Sequence, residues 1–109
     1  MDTDEFVRNF KTEKERLLKS FLSTPPKTAV AATIQSMCLT TSQGELMEKV
    51  LDLALTDTFY TILLGLDGCC SIGDAMQQGY QIRAEDGSYI SSGEGDIEGL
   101  AYHYFHESP

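Results

Sequence analysis

The feature that most constrains this chain is a helical pattern running from Ser42 to Gly68. Ser42-Gln43-Gly44-Glu45 has the form of a capping box, in which two side chains three residues apart each accept an N–H that the first helical turn leaves open. Behind it, Leu46, Val50, Leu51, Leu53 and Ala54 recur at helical spacing and are expected to face inward. Thr56-Asp57 gives a second start signal, and Phe59, Ile62, Leu63 and Leu66 carry the pattern on. The stretch therefore reads as one kinked helix or two in series. Gly68 suits the left-handed residue that closes a helix, and the face of Phe59, Ile62, Leu63 and Leu66 is expected at the centre of the core. A chain of 109 residues has room for one domain, residues 1–109, and one modest core around such a face.

The other elements follow from local signals. Phe6, Phe10, Leu17, Leu18, Phe21 and Leu22 form an apolar stripe on a helix over 2–23, opened by Asp2 and Glu5 and supported by a Glu15–Lys19 pair. Thr24-Pro25-Pro26 stops it. Residues 28–39 favour a helix through Val30, Ile34, Met37 and Cys38, although β-branched Val30 and Ile34 also permit a strand. The alternation in 80–84 and 88–91, around Glu85-Asp86-Gly87, predicts a β-hairpin within 79–91. A last helix carries Ile97, Leu100, Ala101, Tyr104 and Phe105 on one side. The expected fold class is α+β: a mostly helical single domain of four to five helices with one hairpin, its core built from Phe10, Leu17, Phe21, Leu51, Phe59, Leu63, Leu66, Ile82, Leu100 and Tyr104.

Charge is unevenly spread. Residues 1–27 hold six basic and five acidic side chains; residues 28–109 hold two and twelve. That acidic field repels nucleic-acid phosphates and attracts basic proteins. No apolar run reaches the roughly 20 residues of a membrane span. The opening Met1-Asp2-Thr3-Asp4-Glu5 is acidic where a secretory signal is basic, so export by that route is not expected. Cys38, Cys69 and Cys70 make a poor disulfide framework, and all three are expected as reduced thiols and small core residues.

The run Asp57-Thr58-Phe59-Tyr60-Thr61-Ile62-Leu63-Leu64-Gly65-Leu66-Asp67-Gly68, with Ser71-Ile72-Gly73, Gln77-Gln78, the segment 80–87 and the stretch 97–107, resembles a family of small uncharacterised bacterial proteins. The resemblance covers the chain from Asp57 onward and implies a bacterial, cytoplasmic protein. It brings no known activity and no site residue. A likeness to immunity partners of toxins rests on size and charge, not on a motif.

Four chemistries are conceivable on these residues. A cysteine nucleophile would pair Cys69 or Cys70 with His103 or His106, but the surrounding acids work against a thiolate. His103 with His106, or Glu98, Tyr102 and His106 along one helical line, lack a third strong ligand at metal-site spacing. Asp86, Glu94, Asp96 and Glu98 do not match a calcium loop. Asp67 and Asp74 flank an apolar turn, yet nothing in sequence fixes their separation, and Asp67 equally suits a cap before Gly68. No catalytic residue, metal or cofactor is assigned. The leading expectation is a non-enzymatic protein-binding module, an inhibitor or immunity protein of a basic partner among its forms, contacting that partner through Asp86, Tyr89, Glu94, Asp96 and Glu98. The alternative is a small-molecule or metal-dependent enzyme with its site near Cys70, Asp74 and His103. A homodimer through the first helix is a third reading, and neither nucleic acid nor membrane is an expected partner.

Overall fold

The Asp2 carboxylate accepts the N–H of Glu5 at 2.8 Å and so caps α1, Thr3–Phe21, in the computed structural model, which describes residues 1–107. Asp4 and Glu5 in the first turn and Lys19 in the last complement the helix dipole. Thr28, with extended backbone, accepts the N–H of Ala31 at 3.1 Å and opens α2, Ala29–Ser36, so the segment that allowed a strand is helical. α3 spans Thr41–Leu66 as one helix, and the start signal at Thr56-Asp57 is not used. Its capping box lies two residues upstream of the expected one: the Thr40 hydroxyl accepts the Gln43 N–H at 3.2 Å, and the Gln43 side-chain oxygen accepts the Thr40 N–H at 2.9 Å. Two overlapping boxes are written there, and the earlier one lengthens the helix. At the other end Gly68 takes φ +80°, with Cys69 N–H on the Leu64 carbonyl and Gly68 N–H on that of Gly65, the paired bonds of a Schellman close.

A two-stranded antiparallel hairpin follows, β1 Ile82–Arg83 and β2 Tyr89–Ser91, pairing Ile82 with Ser91 and Arg83 with Tyr89 across a bulge. Its turn closes through Gly87 N–H on the Ala84 carbonyl at 2.9 Å, with Gly87 at φ +89°. The chain ends in α4, Glu98–Tyr102, which runs into a π-helical turn, His103–Glu107. No helix among the described residues is long and apolar enough to cross a membrane.

The chain divides into two compact units: Met1–Lys11 with the chain from Thr58 onward, and Thr12–Asp57. In the first, Val7, Leu63, Ile97, Ala101 and Phe105 form the buried core, with Phe10, Phe59, Leu66, Ile82, Leu100 and Tyr104 of the expected set packed against it half-buried. Rings run in series from Phe6 to Phe10 to Phe59 to Phe105, with centroids 5.0, 6.0 and 6.3 Å apart. Polar ties reinforce this packing: the Thr3 hydroxyl donates to the Ile90 carbonyl, the Tyr104 hydroxyl to Asp4 at 2.8 Å, and the Lys11 ammonium to the Tyr104 carbonyl at 2.8 Å.

The second unit is thinner. Ala31 is its one fully buried apolar residue; Leu17, Phe21 and Leu51 are half-buried. Lys14, 5% exposed, is ion-paired with Asp52. Leu46, Val50, Leu53 and Ala54 point outward, contrary to expectation. Periodicity says that residues share a helix face; which face meets the core is set by the neighbours, and here the Lys14–Asp52 pair occupies the opposite side of α3.

Candidate functional site

The second half of the chain is organised around Asp67, which stands at the end of α3 and is 2% exposed. One carboxylate oxygen accepts the N–H of Gly95 at 2.9 Å; the other accepts those of Ile97 at 3.0 Å and Glu98 at 2.8 Å. α4 has no side-chain cap of its own, and Asp67 supplies one from some thirty residues upstream. An anionic acceptor at a helix N-terminus satisfies open donors and complements the dipole. Backbones come close around it. Asp67 bridges to Gly79, the Tyr80 N–H meets the Leu66 carbonyl at 3.0 Å, and the Gln77 amide donates to the Gly68 carbonyl at 2.8 Å. Asp96 accepts the Ser91 hydroxyl at 2.9 Å and the Ser92 N–H at 3.1 Å. Burial opposes its ionisation, but the Ser92 N–H and the Ser91 hydroxyl outweigh that and hold its carboxyl below the ordinary value. The residues that stand out in the sequence thus build a scaffold, and Asp67 acts as a cap rather than as half of a carboxylate pair with Asp74.

That scaffold presents a polar and aromatic patch. Glu98, Tyr102 and His106 follow one another along the last helix, and Tyr60 of α3 meets His106 edge-on, centroids 4.5 Å apart, with Tyr102 5.5 Å from the same imidazole. Tyr102 is 50% exposed. The Cys69 thiol donates to Glu98 at 3.3 Å and lies 3.8 Å from Asp67. Burial raises the Tyr60 phenol above its ordinary value, and the Glu98 charge adds to it. Partial desolvation of the thiol by its neighbours, then Glu98 through its hydrogen bond and its charge, then Asp67, push Cys69 up to about 11. A thiol held protonated in this way is a poor nucleophile at neutral pH. With Cys38 and Cys70 changed to serine, Cys69 should react with a disulfide reagent at pH 8 roughly tenfold more slowly than free cysteine, the smaller thiolate fraction being partly offset by the greater nucleophilicity of a more basic thiolate, and Glu98→Gln should speed it. Reaction at the free-thiol rate would show that Cys69 is not held by these carboxylates.

The five expected partner-binding residues are all exposed and fall into local groups. Asp86 accepts the Ser88 hydroxyl at 2.7 Å and N–H at 2.9 Å, which lower its carboxyl pKa. Tyr89 carries the Arg83 guanidinium 4.4 Å over its ring. The Glu94 N–H rests on the Ser92 hydroxyl at 3.3 Å; Asp96 and Glu98 are placed as above. Of the alternative set, the Cys70 thiol donates to the Thr61 carbonyl at 3.6 Å, His103 faces Glu107 at 3.7 Å and the Tyr104 ring at 5.0 Å, and Asp74 is exposed on the loop after α3. No hydrogen bond or ion pair among the described residues joins the three. All three cysteines are free, and Cys38, at φ 52° after α2, and Cys69 lie at the surface rather than in the core. Among the described residues no group of three or more His, Cys, Asp and Glu side chains could hold a metal ion. Sequence reasoning missed Tyr60 as a patch member, since it read this stretch only through the expected core face of Phe59, Ile62, Leu63 and Leu66, of which Ile62 is instead 47% exposed.

These features define a mostly helical α+β domain with a carboxylate-capped last helix. No protein-family model matches the chain, and neither a curated protein nor a solved structure matches it significantly.

Proposed function

We propose that this chain is a non-enzymatic protein-binding module of the bacterial cytoplasm whose first unit receives a basic partner, which it inhibits or neutralises. The observation that carries the reading is the exposed Glu98–Tyr102–His106 line, with Tyr60 beside it and Glu94 nearby in sequence, in a unit of eleven acidic and three basic side chains. Carboxylates of this density raise the encounter rate with a cationic surface. Exposed tyrosine rings then offer a flat apolar body and a π face for Arg or Lys, each such contact contributing about 0.5–2 kcal/mol. Asp86 and Tyr89, both exposed at the hairpin, are further contact residues in this reading.

Charge reversal tests the surface. Glu94→Lys with Glu98→Lys leaves the scaffold intact, because Asp67 holds the backbone N–H of Glu98 and not its side chain. Immobilised wild-type protein should retain basic proteins from the native lysate at low salt and release them at high salt. The double variant should lose retention by about tenfold or more. A control, Glu45→Lys with Glu48→Lys, makes the same change in net charge on the other unit and should bind as wild type does. Equal loss in both variants would reduce the effect to overall charge and remove the proposed patch.

A further inference from the structure

The second unit carries an apolar surface that its own fold leaves open. α2 and α3 enclose a groove of about 350 Å³ lined by Ala29, Val30, Thr33, Ile34, Met47 and Leu51. Next to it, Leu46, Val50 and Leu53 run along α3 at i, i+4 and i+7, exposed by 63%, 58% and 54%. On a 3.6-residue helix these three, with Ala54, Met47 and Leu51, fall within about 160° of arc, while Glu45, Glu48, Lys49 and Asp52 all fall on the other side. α3 is therefore amphipathic along this stretch with its apolar half outward.

We propose that this face is covered by a second copy of the chain, in a two-fold pairing of α3 against α3 centred on Val50. Three observations choose that occupant. First, an antiparallel copy related by a two-fold through Val50 places Val50 against Val50, Leu46 against Ala54 and Leu53 against Met47, so apolar residues of the same arc meet throughout; a two-fold contact needs this self-complementarity. Second, the unit has six acidic and five basic side chains, and so lacks the like-charge barrier that the other unit, at −8, would meet in pairing with itself; it also offers little to attract a charged partner. Third, the row with Val30 and the groove wall exposes roughly 400–500 Å² of apolar surface, the apolar share of the about 800 Å² that each partner contributes to a standard interface. This contact uses a surface separate from the acidic patch, and its association is insensitive to added salt or strengthened by it.

Sedimentation equilibrium of the full chain at about 100 µM, at low and high salt, reads the state directly. The wild type should be dimeric in both, and Val50→Glu monomeric, with an unchanged far-UV circular dichroism spectrum because Val50 is a surface residue. With Cys38, Cys69 and Cys70 changed to serine, Val50→Cys should oxidise to a disulfide-linked dimer, since the two-fold puts that position against itself. A monomeric wild type at this concentration overturns the proposal; if it also binds a hydrophobic dye that Val50→Glu fails to bind, the face belongs to a different protein. A dimer that survives Val50→Glu and gives no Val50→Cys cross-link overturns the assigned face.

Discussion

Replacing Asp67 by alanine is expected to cost about 3–5 kcal/mol of folding stability, read as a lower urea midpoint at unchanged slope. Three backbone donors would lose their acceptor together: Gly95, Ile97 and Glu98. Ile97 is fully buried, so water cannot substitute at its N–H without opening the core. Each such orphan costs roughly 1–3 kcal/mol. The carboxylate also carries the charge that complements the start of α4, which has no other cap. The substitution Asp67→Asn tests how the loss divides. One amide oxygen can retain either the Gly95 bond or the Ile97–Glu98 pair, while the NH2 group faces donors, so this variant is expected between wild type and alanine. The loss should propagate into the acidic patch, since Glu98 and Tyr102 are placed by α4. An Asp67→Ala protein within about 1 kcal/mol of wild type would mean that the three N–H groups find other acceptors and that Asp67 is not the centre of the scaffold.

How much of this was legible in the sequence follows from the range of the physics involved. Caps are local, and Asp2 and Gly68 could be read where they stand; so could the turn at Glu85-Asp86-Gly87, since a Gly with positive φ is a property of that position. The helix 97–107 was legible in its buried stripe, because Ile97, Ala101 and Phe105 share a face whatever lies opposite. Ambiguity began where two local readings compete, as with Thr40–Gln43 and Ser42–Glu45, or where a start signal at Thr56-Asp57 falls inside a helix that runs on through it. The orientation of α3 in the second unit was not legible at all: Leu46, Val50 and Leu53 make the same periodic signal whether they face a core or solvent. For Asp67 a cap role could be named, but not that its donors lie some thirty residues onward, since no local signal carries that pairing. The patch of Tyr60, Cys69, Glu98, Tyr102 and His106 depends on the same long-range closure and was readable only along the helix, as Glu98, Tyr102 and His106.

The second large effect is expected at Gly79, where alanine should destabilise by about 4 kcal/mol or more, or prevent folding. The reason is steric. A Cβ on Gly79 would sit far inside van der Waals contact with the Gly93 carbonyl oxygen, 2.7 Å from its carbon and 3.0 Å from Gly93 Cα. All of these are backbone atoms, so no side chain can rotate away. Gly93 meets the same barrier from the other side: its Cβ would lie 2.5 Å from the Tyr80 nitrogen, at φ +79°, a region that only glycine enters freely. This close crossing is what lets the 79–80 backbone bond to the end of α3 while the 93–98 segment brings its N–H groups to Asp67. Separating the two segments by the ångström or more that a methyl requires would therefore strain the Tyr80–Leu66 bond and the Asp67 cap together, and the two losses should be non-additive in an Asp67→Ala, Gly79→Ala double variant. Gly44 and Gly99 provide the controls. Both lie in helices, a Cβ at either meets nothing within 4 Å, and alanine there should be neutral or stabilising by up to about 1 kcal/mol. If Gly79→Ala instead behaves like Gly44→Ala in a urea titration, the backbones do not approach at this point, and the cap on α4 must be held by some other closure of the chain.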